Sequence, residues 1–318
     1  MISLLKQDSA PTVSVCIVTY NSSEDIEDCL HAVLQQSFPV ESVIVVDNDS
    51  KDDTCNKVAQ FGPPVQLHRN RVNNGFAGGQ NQAISHTDSD YVVVLNPDVR
   101  LQADYIREIV SFMEANPQAG SAAGQLVFAD RPDLMDSAGI AIARDHNAVE
   151  LAAGEPASNW SESREVFGVS GAAAVYRMAM IGDISYKDQF FDEDYFAYKE
   201  DVDVAWRARH LGWQAWYIPA AKALHRRGWK KGGRRSMPLF VRRHSYQNRF
   251  FTLIKNEPAG WSLLQLFPVL IVKELGKLAY ILLREPGLLA CWLTIIRKCP
   301  DMLRKRKWLF AKKRERST

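Results

Sequence analysis

Runs with no polar face alternate with runs of helical period in the N-terminal part of the chain. Val13–Thr19 (VSVCIVT), Ser42–Val46 (SVIVV) and Tyr91–Leu95 (YVVVL) are continuous and β-branched, the pattern of parallel strands buried on both sides. Between the first two, Ser22 or Ser23 is placed to cap a helix with Glu24 and Asp25 in its first turn. Ile26, Leu30, Val33 and Leu34 give that helix one apolar face. A second helix is expected over about Asp52–Gln60, a short strand over Val65–His68, and a glycine-rich turn entering a helix over Asn73–Asn81. Strand and helix alternate, which defines an open α/β sheet.

Further on, the periodicity predicts a helix over Ala103–Ala115, a strand over Gly120–Phe128, and loops with short strands over 130–159. Val166–Arg177 reads as one strand with a small-residue kink at Gly171-Ala172, either a bulge or a place where a ligand meets backbone. Phe191–His225 then packs Asp192, Glu193, Asp194, Glu200 and Asp201 among aromatics. A helix starts there with Glu200, Asp201 and Asp203 in its first turn, where the macrodipole favours ionised carboxylates, and stops at Gly212. An ionised carboxylate on a rigid element suits a general base, although most such clusters are solvated helix starts.

Composition narrows the class. At 318 residues the chain holds one large core, or one domain plus an extension, and 46% hydrophobic with 24% charged residues is ordinary for a globular protein. Five scattered cysteines without a C-x-x-C pair fit reduced thiols rather than a disulfide framework or zinc site. The first residues lack the apolar core of a signal peptide, and no charge-free run is long enough for a spanning helix. The net charge of +2 conceals a basic C-terminal third.

Three expected strands end in polar residues, at Tyr20-Asn21, at Asp47 and at Asn96-Pro97-Asp98. Ligands of open α/β sheets sit outside the carboxyl ends of the strands, so these endings should line one cleft. The Gly75/Gly78/Gly79 stretch is either a tight turn or a backbone cradle for a diphosphate, and it has neither dinucleotide nor Walker spacing.

The strings VCIVTYNS, VIVVDNDSKDDT, NNGFAGGQNQA, VVVLNPDV, FFDEDYFAYKEDVDVAWRAR and ALH, in this order over Val13–His225, resemble a family 2 glycosyltransferase of the GT-A fold, in its rhamnosyltransferase-like branch. The resemblance implies an open mixed sheet flanked by helices. It divides the chain into a leader (1–12), a catalytic domain (13–225, with a nucleotide-binding half 13–99 and an acceptor half 100–225) and a basic helical extension (226–318). It implies that Thr19, Tyr20, Asn21 and Asp47 bind the nucleobase and ribose, and that Asn74, Gly75 and Phe76 shape the nucleotide-sugar pocket. Asn96-Pro97-Asp98 stands where the family commonly has D-x-D, with Asp98 as the retained metal ligand and His225 as the second. Asp201 is the implied catalytic base, with Glu200 as its neighbour. The implied cofactor is a divalent cation, Mg²⁺ or Mn²⁺, because a carboxylate beside a diphosphate needs a bridging ion. The implied reaction is inverting transfer of L-rhamnose from a dTDP-sugar to a polyprenyl-diphosphate-linked or glycan acceptor. The alternatives are a UDP-sugar donor, a non-catalytic nucleotide-sugar-binding protein, or a sugar-nucleotide pyrophosphorylase, whose basic N-terminal phosphate loop is missing here.

After His225, the segment Arg226–Arg235 carries six cations and three glycines, either a lid over the diphosphate or a solvated connection. A helix is expected over Leu239–Lys255, then apolar runs over Trp261–Leu283 and Leu288–Ile296. Arg304–Arg316 carries eight Lys or Arg. Apolar helices beside a polybasic run suggest a peripheral anchor on the cytoplasmic membrane surface. The alternative is that the helices pack on the catalytic domain and leave the tail solvated. No nucleic-acid-binding motif accompanies the basic tail.

Overall fold

The computed structural model describes residues 10–143, 147–227, 237–258 and 261–317. The expected apolar runs form adjacent strands: β1 (Val13–Thr19), β2 (Ser42–Asp47), β3 (Val65–Arg69) and β4 (Tyr91–Leu95). β1 lies parallel between β4 and β2, and β2 is parallel to β3. Side chains alternate across the sheet, which is why the runs need no polar face. Val13, Val15, Ile17, Val43 and Val45 enter the core on one side, and Cys16, Ile44 and Val46 enter the core on the other.

The sheet continues past β4 through β5 (Val99–Leu101), β6 (Ala119–Phe128), β7 (Arg131–Ser137), β10 (Arg164–Val166), β11 (Ala173–Arg177) and β12 (Gln214–His225). Its order is β10-β12-β6-β11-β4-β1-β2-β3, with β5 on β12 and β7 on β6. β11 runs antiparallel to both β4 and β6, so the ten-stranded sheet is mixed. A separate hairpin, β8 (Ile140–Ile142) with β9 (Ala148–Glu150), stands off it.

Helices α1 (Ile26–Leu34), α2 (Thr54–Ala59) and α4 (Tyr105–Ala115) cover one face of the sheet. α3 (Gly75–Ile84), α5 (Met178–Ile184) and α6 (Glu200–His210) cover the other. This three-layer mixed α/β architecture is the expected GT-A arrangement.

Local expectations fail where side chains serve distant contacts. α1 begins at Ile26 without a side-chain cap, the Ser22 carbonyl accepting from the Asp25 and Ile26 amides instead. Its buried face uses Cys29, while Leu34 is exposed. Val166–Arg177 is not one kinked strand. β10 pairs with β12 and β11 with β4 and β6, so the Gly171-Ala172 segment is the crossing between them.

The glycine-rich stretch is the opening of α3 itself, and its glycines serve close packing. Gly75 has φ +74°, and a Cβ there would lie 2.4 Å from the Phe196 carbonyl oxygen. At Gly79 a Cβ would strike Val18. The Gly75 amide donates to Asn73 Oδ1 and the Ala77 amide to the Phe196 carbonyl. Amides spent this way do not make an open diphosphate cradle.

After His225 come α7 (Leu239–Asn256), α8 (Trp261–Arg284) and α9 (Ala290–Ser317). The expected lid falls mostly on 228–236, outside the described residues. The basic tail is the end of α9, and part of it docks on the catalytic domain while Arg304, Lys307 and Arg314 stay exposed. Lys305 Nζ sits 2.5 Å from Asp192 Oδ1 and 2.7 Å from Asp194 Oδ2, and Arg316 Nη2 sits 2.7 Å from Asp183 Oδ2. Leu309 is buried in the core beneath α6. Arg304 pairs locally with Asp301, but the carboxylates that meet Lys305, Lys312 and Arg316 lie more than a hundred positions upstream, out of reach of a local reading. Among the described residues no single helix is long and apolar enough to cross a membrane. Glu274–Arg284 and Pro286–Arg316 pass together on length and composition, bent by 118° at their break.

Candidate active site

Sheet register brings Asp98 and His225 together. β12 pairs antiparallel with β5 so that His225 faces Val99, and the Arg226 amide donates to the Asp98 carbonyl at 2.9 Å. His225 Nε2 then lies 3.3 Å from Asp98 Oδ1. Its Nδ1 lies 2.7 Å from Asp136 Oδ2, on the irregular strand β7, and Arg227 Nη1 holds the other Asp136 oxygen at 2.5 Å. Burial depresses the imidazole pKa, but the Asp136 and Asp98 hydrogen bonds outweigh it and raise it to about 9. Asp136 is held below the usual carboxylate range against its own burial by His225 and Arg227.

A second chain of contacts brings in Asp201. The Asn96 amide at the end of β4 donates to the Ala172 carbonyl, and the next residue back, Gly171, donates its amide to Asp201 Oδ2 at 3.2 Å. The Val202 amide donates to Asp201 Oδ1 at 2.8 Å. A Cβ on Gly171 would lie in ordinary contact with Phe76 and Asp201, which flank this crossing from the same side.

That space is a cavity of about 630 Å³ lined by Asn96, Asp98, His225, Asp201, Glu200 and Phe76, among others. Asp98, Asp201 and His225 thus share one wall system. Of the strand endings expected to line one cleft, only Asn96 and Asp98 do so, and Asp47 does not. Asp47 is 1% exposed, accepts from Thr19 Oγ1 at 2.8 Å and Ser50 Oγ at 2.5 Å, and is absent from the lining. Thr19, Tyr20, Asn21, Asn74 and Gly75 do not line this cavity either. Thr19 and Asp47 are register partners at the ends of β1 and β2, Tyr20 is exposed, and Asn21 Oδ1 ties down the Lys51 amide.

The helix start does not keep both carboxylates ionised, because burial opposes the macrodipole. Burial pushes Asp201 up, partly countered by the Gly171 and Val202 amides. Glu200 is pushed up to about 8 by burial and by Asp201, and its Oε2 has no hydrogen-bond partner. Burial and mutual repulsion thus oppose ionisation of both carboxylates at once, so the two titrate as a pair.

Phe196, Tyr198 and Lys199, just ahead of this helix, all have positive φ. α7 secures that strained segment. The Asn248 side-chain amide donates to the carbonyls of Tyr195, Ala197 and Tyr198. Lys255 Nζ, also on α7, lies 2.5 Å from Asp192 and 2.9 Å from Asp203, whose Oδ2 also binds Arg207 at 2.9 Å.

Sequence reasoning missed Asp136, Glu150 and Lys199. Glu150, on β9, lines the cavity, accepts from Ser137 Oγ at 2.6 Å, and is pushed up to about 7 by burial. Asp136 and Glu150 lie in the stretch read as loops, where no period marked them.

Asp98 and His225 fit a divalent ion as an oxygen and an imidazole ligand facing the cavity. Among the described residues no group of three His, Cys, Asp or Glu side chains could hold one unaided. An ion here would complete its shell with substrate phosphate and water.

The mixed α/β sheet thus carries a carboxylate–imidazole pair at its strand ends and a buried carboxylate pair across the cavity. The model for glycosyl transferase family 2 matches residues 14–184, more than half of the chain, and the chain belongs to that family. It is 28% identical over 242 residues to the N-acetylglucosaminyl-diphospho-decaprenol L-rhamnosyltransferase of Mycobacterium tuberculosis, covering 69% of this chain and 77% of the relative. Among solved structures it resembles GalNAc-T7 with UDP, GalNAc and Mn²⁺ (TM-score 0.60, 11% identity, 78% of this chain and 48% of that one). It also resembles the mannosyltransferase PcManGT of Pyrobaculum calidifontis with GDP-Man and Mn²⁺ (TM-score 0.55, 18% identity, 96% and 88%).

Proposed function

We propose that this glycosyltransferase moves a deoxyhexose, L-rhamnose from a dTDP-sugar, onto a hydroxyl of a polyprenyl-diphosphate-linked acceptor in cell-surface polysaccharide assembly, with inversion at the sugar. The observation that carries this is the placing of Asp98, His225 and Asp201 on one cavity. The name of the M. tuberculosis relative supports the sugar and the acceptor class.

In this reading Asp98 and His225 hold a Mg²⁺ or Mn²⁺ ion at the donor diphosphate. When bound, the ion stabilises the departing charge by several kcal/mol. Asp136 fixes the ring of His225 through Nδ1, so that Nε2 faces the cavity. Asp201 takes the proton of the attacking hydroxyl, and burial of the neighbouring Glu200 opposes a second negative charge beside it. A single base and a single displacement give inversion. Phe76 and Asn96 bound the donor sugar, while Thr19, Tyr20, Asn21, Asp47, Asn74 and Gly75 serve the nucleoside side at the strand ends.

Residues 13–225 form the catalytic unit, and 226–318 complete its acceptor side through Val241 and Ser245 of α7. Exposed Val272, Leu275, Leu282 and Leu283 on α8 and Leu293 and Ile296 on α9 give this extension an outward apolar face. That face suits peripheral contact with the cytoplasmic leaflet of the membrane, where such an acceptor lies.

The test is a panel of dTDP-, UDP- and GDP-sugars with Mn²⁺ or Mg²⁺, read as nucleoside diphosphate release in the presence of a lipid-linked acceptor. Release from dTDP-rhamnose above the others is expected. Release from a UDP-sugar alone would move the donor assignment, and no binding or consumption of any donor would remove the reading.

A further inference from the structure

A second cavity, of about 280 Å³, opens beside the first and shares Ala148, Lys199 and Ser245 with it. None of the donor-side residues Asn96, Asp98 and His225 lines it. Its wall carries three cations: Lys199, Arg249 of α7 and Lys277 of α8. Glu274 meets two of them, at 2.8 Å from Arg249 Nη1 and 3.1 Å from Lys277 Nζ. That leaves an excess of positive charge. Arg249 Nη1 is buried and its ion contact gives it no well-aligned hydrogen bond. Lys199 has no side-chain hydrogen bond or ion pair among the described residues, though it lines both cavities two positions before Asp201. This ammonium sits on strained backbone with φ +70°; Asp201, Glu150 and Glu200 attract it from the main cavity, while burial and Arg249 oppose its charge.

The outer wall is Tyr280 and Ile281 of α8. Tyr280 is part-exposed, and Leu283, three positions on along the same helix face, is 80% exposed. A cationic cavity thus adjoins the proposed base on one side and an uncovered apolar strip on the other.

We propose that this second cavity binds the diphosphate of the lipid-linked acceptor, with Lys199, Arg249 and Lys277 as its cationic partners and the lipid leaving along α8 past Tyr280 and Leu283. This rests on the lipid-linked-acceptor reading and gives that acceptor a location. A diphosphate there holds the first sugar in the main cavity, with its hydroxyls toward Asp201. The short separation of Lys199 from Asp201 along the chain suits an acceptor whose reacting sugar is attached directly to phosphate. A neutral glycan acceptor would bring no counter-charge to a wall on which, among the described residues, Glu274 alone meets both Arg249 and Lys277.

The test uses the full chain and farnesyl diphosphate as probe, with farnesol and inorganic diphosphate as comparison ligands and dTDP with Mn²⁺ as the donor-site control. Binding is measured by calorimetry. Farnesyl diphosphate is expected to bind more tightly than either comparison ligand and without competition from dTDP. Lys199→Gln and Lys277→Gln are each expected to weaken it about tenfold or more while dTDP affinity is retained. Lys277, part-exposed on α8, keeps the test valid if the Lys199 variant misfolds. Wild-type affinity in Lys277→Gln, competition by dTDP, or equal binding of inorganic diphosphate would each overturn the proposal. Failure of wild type to bind dTDP would instead count against the donor reading.

Discussion

The two sides of the main cavity are held in different ways. Around Asp98 and His225 the positions follow chiefly from backbone register, β12 against β5 and β4 beside β1, with Asp136 and Arg227 fixing the imidazole within that frame. Around Asp201 they follow from buried charge. α6 is secured by Asp203 against Arg207, Lys255 and Asn256, and the segment before it by Asn248, all but Arg207 from outside α6. Register is robust to the loss of one side chain. A buried ionic network is not, because removing one partner leaves the others desolvated and unpaired. The side proposed to hold the donor is thus rigid by construction, and the side proposed to hold the acceptor depends on the C-terminal helices.

The sharpest way to break this contrast is at the base. Asp201→Asn is expected to lower kcat about 10²–10⁴-fold, read from initial rates of nucleoside diphosphate release with acceptor present. Because burial raises the Asp201 pKa, and the base works only when ionised, the acid limb of the wild-type rate profile should lie above the ordinary aspartate range, activity falling as pH drops through it.

Lys255→Met tests the buried network directly. It removes the cation that Asp192 and Asp203 share, leaving one cation to each, and should cost about 3 kcal/mol in urea unfolding. Ile17→Val, in the fully buried strand β1, should cost only about 0.5–1.5 kcal/mol. Equal costs would erase the distinction between the two sides.

Asp136→Asn probes the orientation of His225. Calorimetry in the presence of nucleoside diphosphate should show Mn²⁺ affinity lowered about 10–100-fold, with the fold intact by circular dichroism.

The smallest effect concerns the docked tail. Lys255 and Lys305 hold the Asp192 carboxyl below its ordinary range, against burial. Its contribution is present above the unfolded aspartate value, about 3.9, and is lost as pH falls through the lower folded value. Asp192→Asn should therefore flatten the loss of stability below about pH 4 in acid titrations followed by fluorescence.

The strands of the proposed donor side were legible because burial on both faces leaves an unambiguous apolar run. Val13–Thr19 and Tyr91–Leu95 fall where the pattern puts them. Asp201 could be singled out because α6 starts and stops with local signals. Asp136 and Glu150 could not. Asp136 meets His225 across 89 positions, and the strands carrying Asp136 and Glu150 are short and irregular. In Arg304–Arg316 the charge is visible along the chain, but the partners of Lys305 and Arg316, namely Asp183, Asp192 and Asp194, are adjacent only in the fold. Local period encodes which face is buried. It does not encode which distant charge completes a pair.

The most direct test of a cavity with a donor side and an acceptor side compares Asp98→Asn with Asp201→Asn in two assays run in parallel, dTDP affinity with Mn²⁺ and transfer rate. The expected result is a crossing: Asp98→Asn loses metal-dependent dTDP affinity, whereas Asp201→Asn keeps that affinity and loses transfer. If Asp201→Asn transfers at the wild-type rate, or if both variants lose dTDP affinity alike, the assignment of the two sides is contradicted.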